Sequence, residues 1–220
     1  MKWSKSYNDS NSMSVKKANY VIGIDEVGRG PLAGPVTVAA VAVPTKFKVQ
    51  SSKSKTKLRD SKKLSAKQRE GWCEYIKNSH RSSIIDHRIF FASASVYPKV
   101  IDRINITQAA NLAASRALEK LVGMLDVRSE MKILMDGGLY INHPTSHISP
   151  RTIIKGDEKY NCIKLASIVA KVKRDRIMKR NHKKFPQYGF DEHFGYGTKK
   201  HMAVLKKYGF STIHRLSFLK

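Results

Sequence analysis

The chain has 220 residues, 41% of them hydrophobic, which is enough to form a core and excludes wholesale disorder. Lysine and arginine total 42 against 17 aspartate and glutamate, and the net charge of +25 indicates a polyanionic partner, above all nucleic acid. No apolar run approaches the ~20 residues of a membrane-spanning helix, and the N-terminus has no apolar stretch typical of a secretory signal. We therefore expect a cytoplasmic protein that does not associate with membranes.

The N-terminal half begins with a polar segment, residues 1–18, whose lack of periodicity predicts a flexible basic tail. Apolar runs at 20–24 and 36–43 predict two buried strands. The stretch 46–63 carries eight lysines and arginines and a single acid. Ser65, followed three residues later by Gln68, resembles a capping box and predicts a helix that ends near residue 78.

The rest of the chain alternates between strand and helix patterns. The predicted elements are a strand at 83–91, a helix at 105–122 with Gly123 as C-cap, a short strand at 131–135, a long helix at 160–184, and a last helix near 201–207 after a loop that starts at 186. This order favours a mixed α/β sheet with helices packed on it. The two cysteines, Cys73 and Cys162, lie far apart with no C-x-x-C pattern, so we expect reduced thiols and no zinc site.

Carboxylates follow two of the predicted strands. Asp25 and Glu26 come directly after the first strand, Asp136 ends the strand at 131–135, and Asp157 precedes the long helix. Any one of them could simply cap a turn or a helix. Several carboxylates gathered in one place repel each other unless a cation lies between them, and oxygen-only ligands suit Mg²⁺ or Mn²⁺. Beside a basic surface, such a site is typical of two-metal phosphodiester hydrolysis.

The segment Gly28-Arg29-Gly30-Pro31-Leu32-Ala33 formally fits a dinucleotide-binding fingerprint. However, it leads into a Val/Ala strand instead of a helix, and no acid follows about 20 residues later, as that fingerprint requires. A tight turn between antiparallel strands remains one interpretation. The other is that the glycines allow the backbone to approach a nucleic acid closely.

In the long helix, the positions of Cys162, Leu165, Ala166, Val169 and Val172 follow helical spacing and predict a core face. Lys164, Ser167, Lys171 and Arg174 form a polar stripe on the same helix. A solvated amphipathic face explains most such stripes. The alternative is phosphate contact, because residues 164–184 hold nine lysines and arginines and one acid.

Residues 22–35, with the sequence IGIDEVGRGPLAGP, resemble the N-terminal signature of the ribonuclease HII family. Further motifs follow in the family's order: DSKKLS at 60–65, DG at 136–137, KGDEK at 155–159, ASIVAKV at 166–172, FPQYGF at 185–190, GYGT at 195–198 and HR at 214–215. The resemblance covers roughly residues 20–218, and the Lys-Gly-Asp form is similar to the bacterial type. Phe194 departs from the pattern, since a lysine often stands before Gly-Tyr.

The resemblance implies a ribonuclease H-like mixed β-sheet flanked by helices. It places a catalytic domain at 19–185 and a small C-terminal helical extension at 186–220 that contributes to substrate binding. It also implies a metal site for Mg²⁺ or Mn²⁺, and the catalytic ligands would be Asp25, Glu26, Asp136 and Asp157. Asp175 is a rival for the fourth position. Asp157 is favoured because it stands at the family's Gly-Asp position, and Asp175 is expected to pair with a neighbouring arginine.

The implied activity is endonucleolytic. The family hydrolyses the RNA strand of RNA–DNA hybrids and cuts duplex DNA 5′ to a single ribonucleotide, leaving 3′-hydroxyl and 5′-phosphate ends. In it the Gly-Arg-Gly segment reads the 2′-hydroxyl and the tyrosine stacks on the sugar 3′ to the cut. The substrate contacts implied here are Gly28, Arg29, Gly30, Ser61, Lys62, Lys63, Lys159, Ser167, Lys171, Tyr196 and Thr198, on a chain expected to act as a monomer.

Two other functions compete with this one. A non-catalytic basic RNA-binding protein would explain the charge, but it would give no reason for four carboxylates that weaken polyanion binding unless they are neutralised. Another nuclease or recombinase of the same fold class would share the metals but would lack the Gly-Arg-Gly segment and Tyr196.

Overall fold

The computed structural model describes residues 19–47, 56–81, 88–125, 131–141 and 150–219. The predicted tail at 1–18 and the middle of the basic stretch, 48–55, lie outside the described residues. In the part of the chain that is described, no helix is long and apolar enough to cross a membrane.

A five-stranded mixed sheet forms the centre of the protein, in the order β3-β2-β1-β4-β5. The strands are β1 Tyr20–Val27, β2 Val36–Pro44, β3 Phe90–Val96, β4 Met131–Asp136 and β5 Arg151–Ile153. β1 and β3 pair antiparallel with β2, whereas β4 pairs parallel with β1 and β5 parallel with β4. The predicted mixed α/β sheet is confirmed.

The helices are α1 Ala66–His80, α2 Pro98–Val122, α3 Gly156–Lys159, α4 Asn161–Lys184, α5 Phe190–His193 and α6 Lys199–Tyr208. α2 covers one face of the sheet, while α1 and α4 cover the other. Strand β2 is buried along its whole length because both faces are covered, which explains a sequence made almost only of valine and alanine. Alternate residues such as Val38 and Ala39 belong to the two opposite cores.

Helix α4 lies very close to strand β1. A Cβ atom placed on Gly23 would overlap the backbone of Cys162 and Ile163 at the start of α4, so only glycine fits at this point of the strand. The predicted core face of α4 is confirmed, because Cys162, Leu165, Ala166, Val169 and Val172 are all buried. The close packing brings the first half of α4 beside the C-terminal end of β1.

Several local predictions were right. Ser65 and Gln68 form the capping box of α1, and Gly123 is the C-cap of α2. The loop 28–35 joins antiparallel strands, which excludes the dinucleotide-binding interpretation.

Other boundaries were wrong. β1 continues through Asp25 and Glu26 to Val27, and the third strand is Phe90–Val96, whereas residues 82–87 lie outside the described part. α2 begins at Pro98 and not at 105, where Asn105 interrupts it with a φ of 65°. The Asn105 side chain accepts a hydrogen bond from the Gln108 amide at 3.0 Å, so it caps the second part of the helix.

The C-terminal residues form a third apolar cluster that contains Ala33, Met178, Tyr188, Phe190 and Leu205. The segment after α6 runs back along the loop 28–35, where Gly34 donates to the Ile213 carbonyl and Arg215 to the Leu32 carbonyl, both at 2.8 Å. Asp102 of α2 accepts from the amides of Leu216 and Ser217, each at 3.0 Å. The end of the chain is therefore tied to both the sheet and α2.

Candidate active site

Asp25 and Asp136 are brought together by parallel strand pairing. Ile24 of β1 is in register with Met135 of β4, so the next residue on each strand is a carboxylate at the same edge of the sheet. Asp25 is 5% exposed, and its Oδ1 accepts from the Glu26 amide at 2.8 Å. Asp136 Oδ1 accepts from the Gly156 amide at 2.7 Å. The second contact joins the end of β4 to the start of α3.

Asp157, the second residue of α3, and Glu26 complete a group that we call the carboxylate edge: Asp25, Glu26, Asp136 and Asp157. Glu26 lies 3.6 Å from the Arg29 guanidinium through Oε1. Its Oε2 is buried and has no hydrogen-bond partner among the described residues. Such an atom is costly unless a ligand satisfies it.

The electrostatics of the carboxylate edge are unfavourable. Burial raises the pKa of Asp25 well above its ordinary value, and Glu26 and Asp136 raise it further. Burial raises the pKa of Glu26 to about 7, against the lowering effect of Arg29. The pKa of Asp157 is also raised, by burial first and then by Asp136 and Asp60. Asp25, Glu26 and Asp157 therefore resist ionisation, first because of burial and then because of neighbouring acids.

The donor chemistry of the carboxylate edge fits a hard divalent cation. All its ligand atoms are carboxylate oxygens, which Mg²⁺ and Mn²⁺ prefer, and the unpartnered Glu26 Oε2 is available. As the side chains stand, no three acidic, histidine or cysteine groups within the described ranges are close enough together to enclose one ion. Mutual repulsion of uncompensated carboxylates gives a physical reason for this spacing.

The segment Gly28–Gly30 follows β1 directly, so it lies next to Asp25 and Glu26. Arg29 donates from one terminal nitrogen to the Gly138 carbonyl at 3.1 Å and from the other to Thr107 Oγ1 at 3.3 Å. Gly30 is exposed, with open space where a side chain would be. The predicted close-approach surface is thus accessible beside the carboxylate edge.

Ser61, Lys62 and Ser167 also lie close to the carboxylate edge. The Ser61 and Ser167 hydroxyls are 2.8 Å apart and buried, and Ser167 hydrogen-bonds to the Asp25 side chain. Lys62 is exposed, and its charge opposes the rise in the pKa of Glu26 and Asp157. In this structure Ser167 orients the Asp25 carboxylate, and Lys62 is exposed beside the carboxylate edge.

The other predicted contacts differ in setting. Lys63 and Lys159 are exposed. Lys171 lies 2.9 Å from Asp175 and 4.9 Å from the centre of the Phe194 ring. The expectation that Asp175 is paired is confirmed, although its partners are Lys171 and, at 3.6 Å, Arg69, which is distant in sequence.

Tyr196 is 44% exposed, in a loop bounded by Gly195 and Gly197, so its ring is accessible. Its carbonyl accepts from the Thr198 amide at 2.8 Å and lies 2.9 Å from His201 Nδ1. The Thr198 hydroxyl accepts from the His201 amide at 3.2 Å as the N-cap of α6. The Thr198 side chain thus has a structural role in addition to any contact with substrate.

The polar stripe on α4 has two parts: Lys164 and Lys171 are half-buried, whereas Ser167 and Arg174 are buried, so phosphate contact does not extend to Arg174. Arg174 is 0% exposed, and Ser167 is 6% exposed. Arg174 donates to the carbonyls of Pro35, Phe194 and Ala33 at 3.0, 3.0 and 3.2 Å. The C-terminal residues cover this side of the helix, which its periodicity could not reveal.

Sequence reasoning missed a set of buried basic side chains that surrounds the Tyr196 loop. We call it the arginine–histidine cluster, and its members are Arg174, His193, His201, His214 and Arg215. The two arginines donate to backbone carbonyls, most of them distant in sequence, whereas the histidines mainly bind residues a few positions away. The one signal was the His214–Arg215 pair, which is a motif of the resembled family without an indicated role.

Comparison with known proteins identifies one family. A sequence profile described as ribonuclease HII matches residues 22–220. The ribonuclease HII of Caldicellulosiruptor bescii is 44% identical over 201 residues, which cover 91% of this chain and 87% of that protein. The ribonuclease HII of Bacillus mycoides is 43% identical over 208 residues, which cover 94% of this chain and 72% of that protein.

Solved structures agree at the level of the fold. The ribonuclease H2 from Pyrococcus horikoshii OT3 superposes with a TM-score of 0.64 and 24% identity, covering 89% of this chain and 92% of that one. At this identity the likeness concerns architecture alone, and it confirms the predicted ribonuclease H-like sheet.

Proposed function

The chain belongs to the ribonuclease HII family, and from that premise we propose that it also cuts duplex DNA on the 5′ side of a single embedded ribonucleotide. Membership makes it an endonuclease with ribonuclease H activity on RNA–DNA hybrids. It also sets aside a non-catalytic RNA-binding role. The observation that carries the proposal is the direct sequence link between Asp25-Glu26 at the end of β1 and the open Gly28–Gly30 segment.

Asp25, Glu26, Asp136 and Asp157 are the residues that would hold divalent metal ions, because they offer buried or half-buried carboxylates and no competing nitrogen or sulfur ligand. Bound there, Mg²⁺ or Mn²⁺ would supply activation of the attacking water and neutralisation of charge on the scissile phosphate. Ser167 would keep Asp25 oriented through its hydrogen bond.

Recognition of the ribonucleotide needs a polar contact to the 2′-hydroxyl, since that group distinguishes RNA from DNA. Gly28, Arg29 and Gly30 would provide it through backbone groups that a side chain at Gly30 does not obstruct. Tyr196 would support the adjoining sugar with its exposed ring. Lys62 would contact a backbone phosphate beside the carboxylate edge, with exposed Lys63 and Lys159 next to it.

One experiment tests this function. The protein is incubated with Mg²⁺ or Mn²⁺ and a DNA duplex that contains one ribonucleotide, and the ends are mapped at nucleotide resolution. We expect a single cut 5′ to the ribonucleotide with 3′-hydroxyl and 5′-phosphate ends, and no cut in the all-DNA duplex. Cleavage on the 3′ side, or of hybrids alone, would contradict the proposal. Light scattering of the same sample tests the separate prediction of a monomer.

A further inference from the structure

Arg215 holds the Gly28–Gly30 segment from the inside of the protein. Its guanidinium is 0% exposed and donates to the carbonyls of Gly28, Arg29 and Gly34 at 2.6, 2.8 and 2.9 Å. It forms no ion pair with a carboxylate within the described ranges; its charge is stabilised by backbone carbonyls. Burial lowers the pKa of Arg215 to about 9, so the side chain stays charged at neutral pH.

The carbonyl contacts determine which way the amides point. In a trans peptide unit the N–H points opposite to the C=O, and no cis peptide occurs in the described residues. Because the Gly28 and Arg29 carbonyls turn inward to Arg215, the amides of Arg29 and Gly30 turn outward. These are the donors that can meet a 2′-hydroxyl at the exposed surface of the segment.

Arg174 couples this segment to the Tyr196 loop. It donates to Ala33 and Pro35 on one side and to Phe194 on the other. The carbonyl of Gly195 also accepts from the Leu32 amide at 2.8 Å. The two loops proposed to contact the ribonucleotide therefore share one buried framework.

Gly28 is part of the same arrangement. Its φ is +90°, and a Cβ atom there would overlap the Nε and Cδ atoms of Arg174. Arg174 thus packs directly beneath the first residue of the Gly-Arg-Gly segment, which explains why a glycine is needed at this position.

We propose that Arg215 is a positioning residue that turns the amides of Arg29 and Gly30 toward the 2′-hydroxyl and thereby determines selectivity for a single ribonucleotide. The inference rests on the proposed function of the Gly28–Gly30 segment. It adds that the selectivity is set by the C-terminal segment, which Asp102 docks on α2. Arg215 itself touches neither substrate nor the carboxylate edge.

The test compares Arg215→Lys with the wild type on a single-ribonucleotide duplex and on a continuous RNA–DNA hybrid. Lysine keeps the charge, but its single ammonium nitrogen lacks the planar fork with which the three guanidinium nitrogens reach three carbonyls. We expect kcat on the single ribonucleotide to fall by ~10²-fold with KM unchanged, because misplacement near the reacting group can cost that much. The loss on the hybrid should be clearly smaller, since neighbouring 2′-hydroxyls offer alternative registers. Arg176→Lys is the matched control, because Arg176 is half-exposed and pairs with Glu70.

Chemical rescue separates positioning from general stability. Arg215→Ala leaves a cavity lined by the carbonyls of Gly28, Arg29 and Gly34, and we expect added guanidinium chloride to restore single-ribonucleotide cleavage where equal concentrations of urea or potassium chloride do not. If both Arg215 variants fail to fold, Asp102→Asn loosens the same segment and should lower the single-ribonucleotide to hybrid rate ratio in the same direction.

The outcomes are distinguishable from failure of the proposed function. If the wild type does not cut the single-ribonucleotide duplex, the proposed function fails. If the wild type cuts it and the folded variants lose activity on both substrates in equal proportion, or lose none, Arg215 is only a structural residue and the positioning proposal is overturned.

Discussion

The carboxylate edge and the arginine–histidine cluster both bury polar groups, and they do so in opposite ways. At the carboxylate edge, Asp25 and Glu26 lie among other acids, and Glu26 Oε2 has no partner among the described residues. In the cluster, each described guanidinium nitrogen of Arg174 and Arg215 donates to a carbonyl.

The described ring nitrogens of His201 and His214 in the cluster also have hydrogen-bond partners. His214 Nδ1 accepts from the Ser211 amide at 2.9 Å, so its Nε2 carries the proton toward His201 Nε2 at 3.1 Å. The other nitrogen of His201 then donates to the Tyr196 carbonyl at 2.9 Å. Unfavourable electrostatics are thus retained where a ligand can relieve them, while satisfied contacts hold the loops around that site in place.

The largest expected effect comes from removing one charge at the carboxylate edge. Asp136→Asn should reduce cleavage to background with duplex affinity largely intact, because it removes a proposed metal ligand and no proposed phosphate contact. Without metal the variant should be at least as stable as the wild type, since repulsion with Asp25 is relieved. Cleavage assays, binding titrations and thermal unfolding measure the three quantities.

Stability measured with and without metal tests the carboxylate edge of the wild type directly. Mg²⁺ at 100 times its Kd should stabilise the wild type by about 2.7 kcal/mol, and stabilise Asp136→Asn much less. Asp175→Asn is the isosteric control for the rival ligand, and it should respond to Mg²⁺ like the wild type. Near-normal turnover of Asp136→Asn at saturating Mg²⁺ would exclude Asp136 from the metal site.

The next largest effect concerns the loop that the cluster supports. Tyr196→Ala should lower cleavage at a single ribonucleotide by ~10²-fold through lost positioning, with duplex binding much less affected. The loss on a continuous hybrid should be smaller. Tyr208→Ala is a suitable control, because Tyr208 is 50% exposed and also lies in the C-terminal extension. If Tyr196→Ala cuts the single-ribonucleotide duplex at the wild-type rate, the Tyr196 ring has only a packing role.

The sequence predicts the carboxylate edge better than the cluster for a physical reason. An acid at the end of an apolar run, such as Asp136 after Met131–Met135, is a local pattern, and parallel pairing then places it beside Asp25. Arg215 instead binds the carbonyl of Gly28, 187 positions earlier in the chain. Every residue has a backbone carbonyl, so the residue type at position 28 does not indicate that a buried arginine binds there.

Strand β3 shows the same limit for the fold. The prediction of 83–91 followed the more apolar run, whereas the strand Phe90–Val96 has half-buried serines that alternate with buried alanines. One of them, Ser95, hydrogen-bonds with Thr37 of β2 at 2.8 Å. Pairing with β2 and cross-strand hydrogen bonds of this kind stabilise β3. A strand stabilised in this way can have a less hydrophobic sequence than a prediction from composition expects.

The third effect concerns stability, to which the carboxylate edge and the arginine–histidine cluster contribute with opposite dependence on pH. Burial lowers the pKa of His214 to about 4, below the ordinary value of 6.5, with a smaller contribution from His201. The unfolded chain therefore binds more protons between pH 6.5 and 4, and this contribution to stability is lost as pH falls through that window. The raised pKa of Glu26 has the opposite effect: its contribution to stability increases as pH falls from about 7 to the ordinary pKa of 4.5.

The difference in the free energy of unfolding between the wild type and a His214 variant isolates the contribution of this histidine, because the carboxylates are the same in both proteins. The wild type should be more stable than His214→Asn at pH 7.5, and this advantage should shrink by on the order of 3 kcal/mol at pH 4. Urea unfolding at a series of pH values measures it. The exposed His80 provides the control variant, His80→Asn. A constant difference for His214→Asn would mean that folding does not lower the pKa of His214.

The smallest effect distinguishes buried charges from those that meet nucleic acid. With a net charge of +25, binding should weaken with salt at a slope of log K against log salt steeper than about −2, since each neutralised phosphate contributes about −0.9. Asp136→Asn serves as the background for all titrations, so that binding is measured without cleavage. In that background, exposed Lys62→Ala should make the slope shallower by about 0.9. Arg174→Lys should leave it unchanged, because Arg174 is 0% exposed and already engaged with carbonyls. A slope shallower than about −2, or equal responses to both changes, would mean that the exposed charge serves another purpose than phosphate contact.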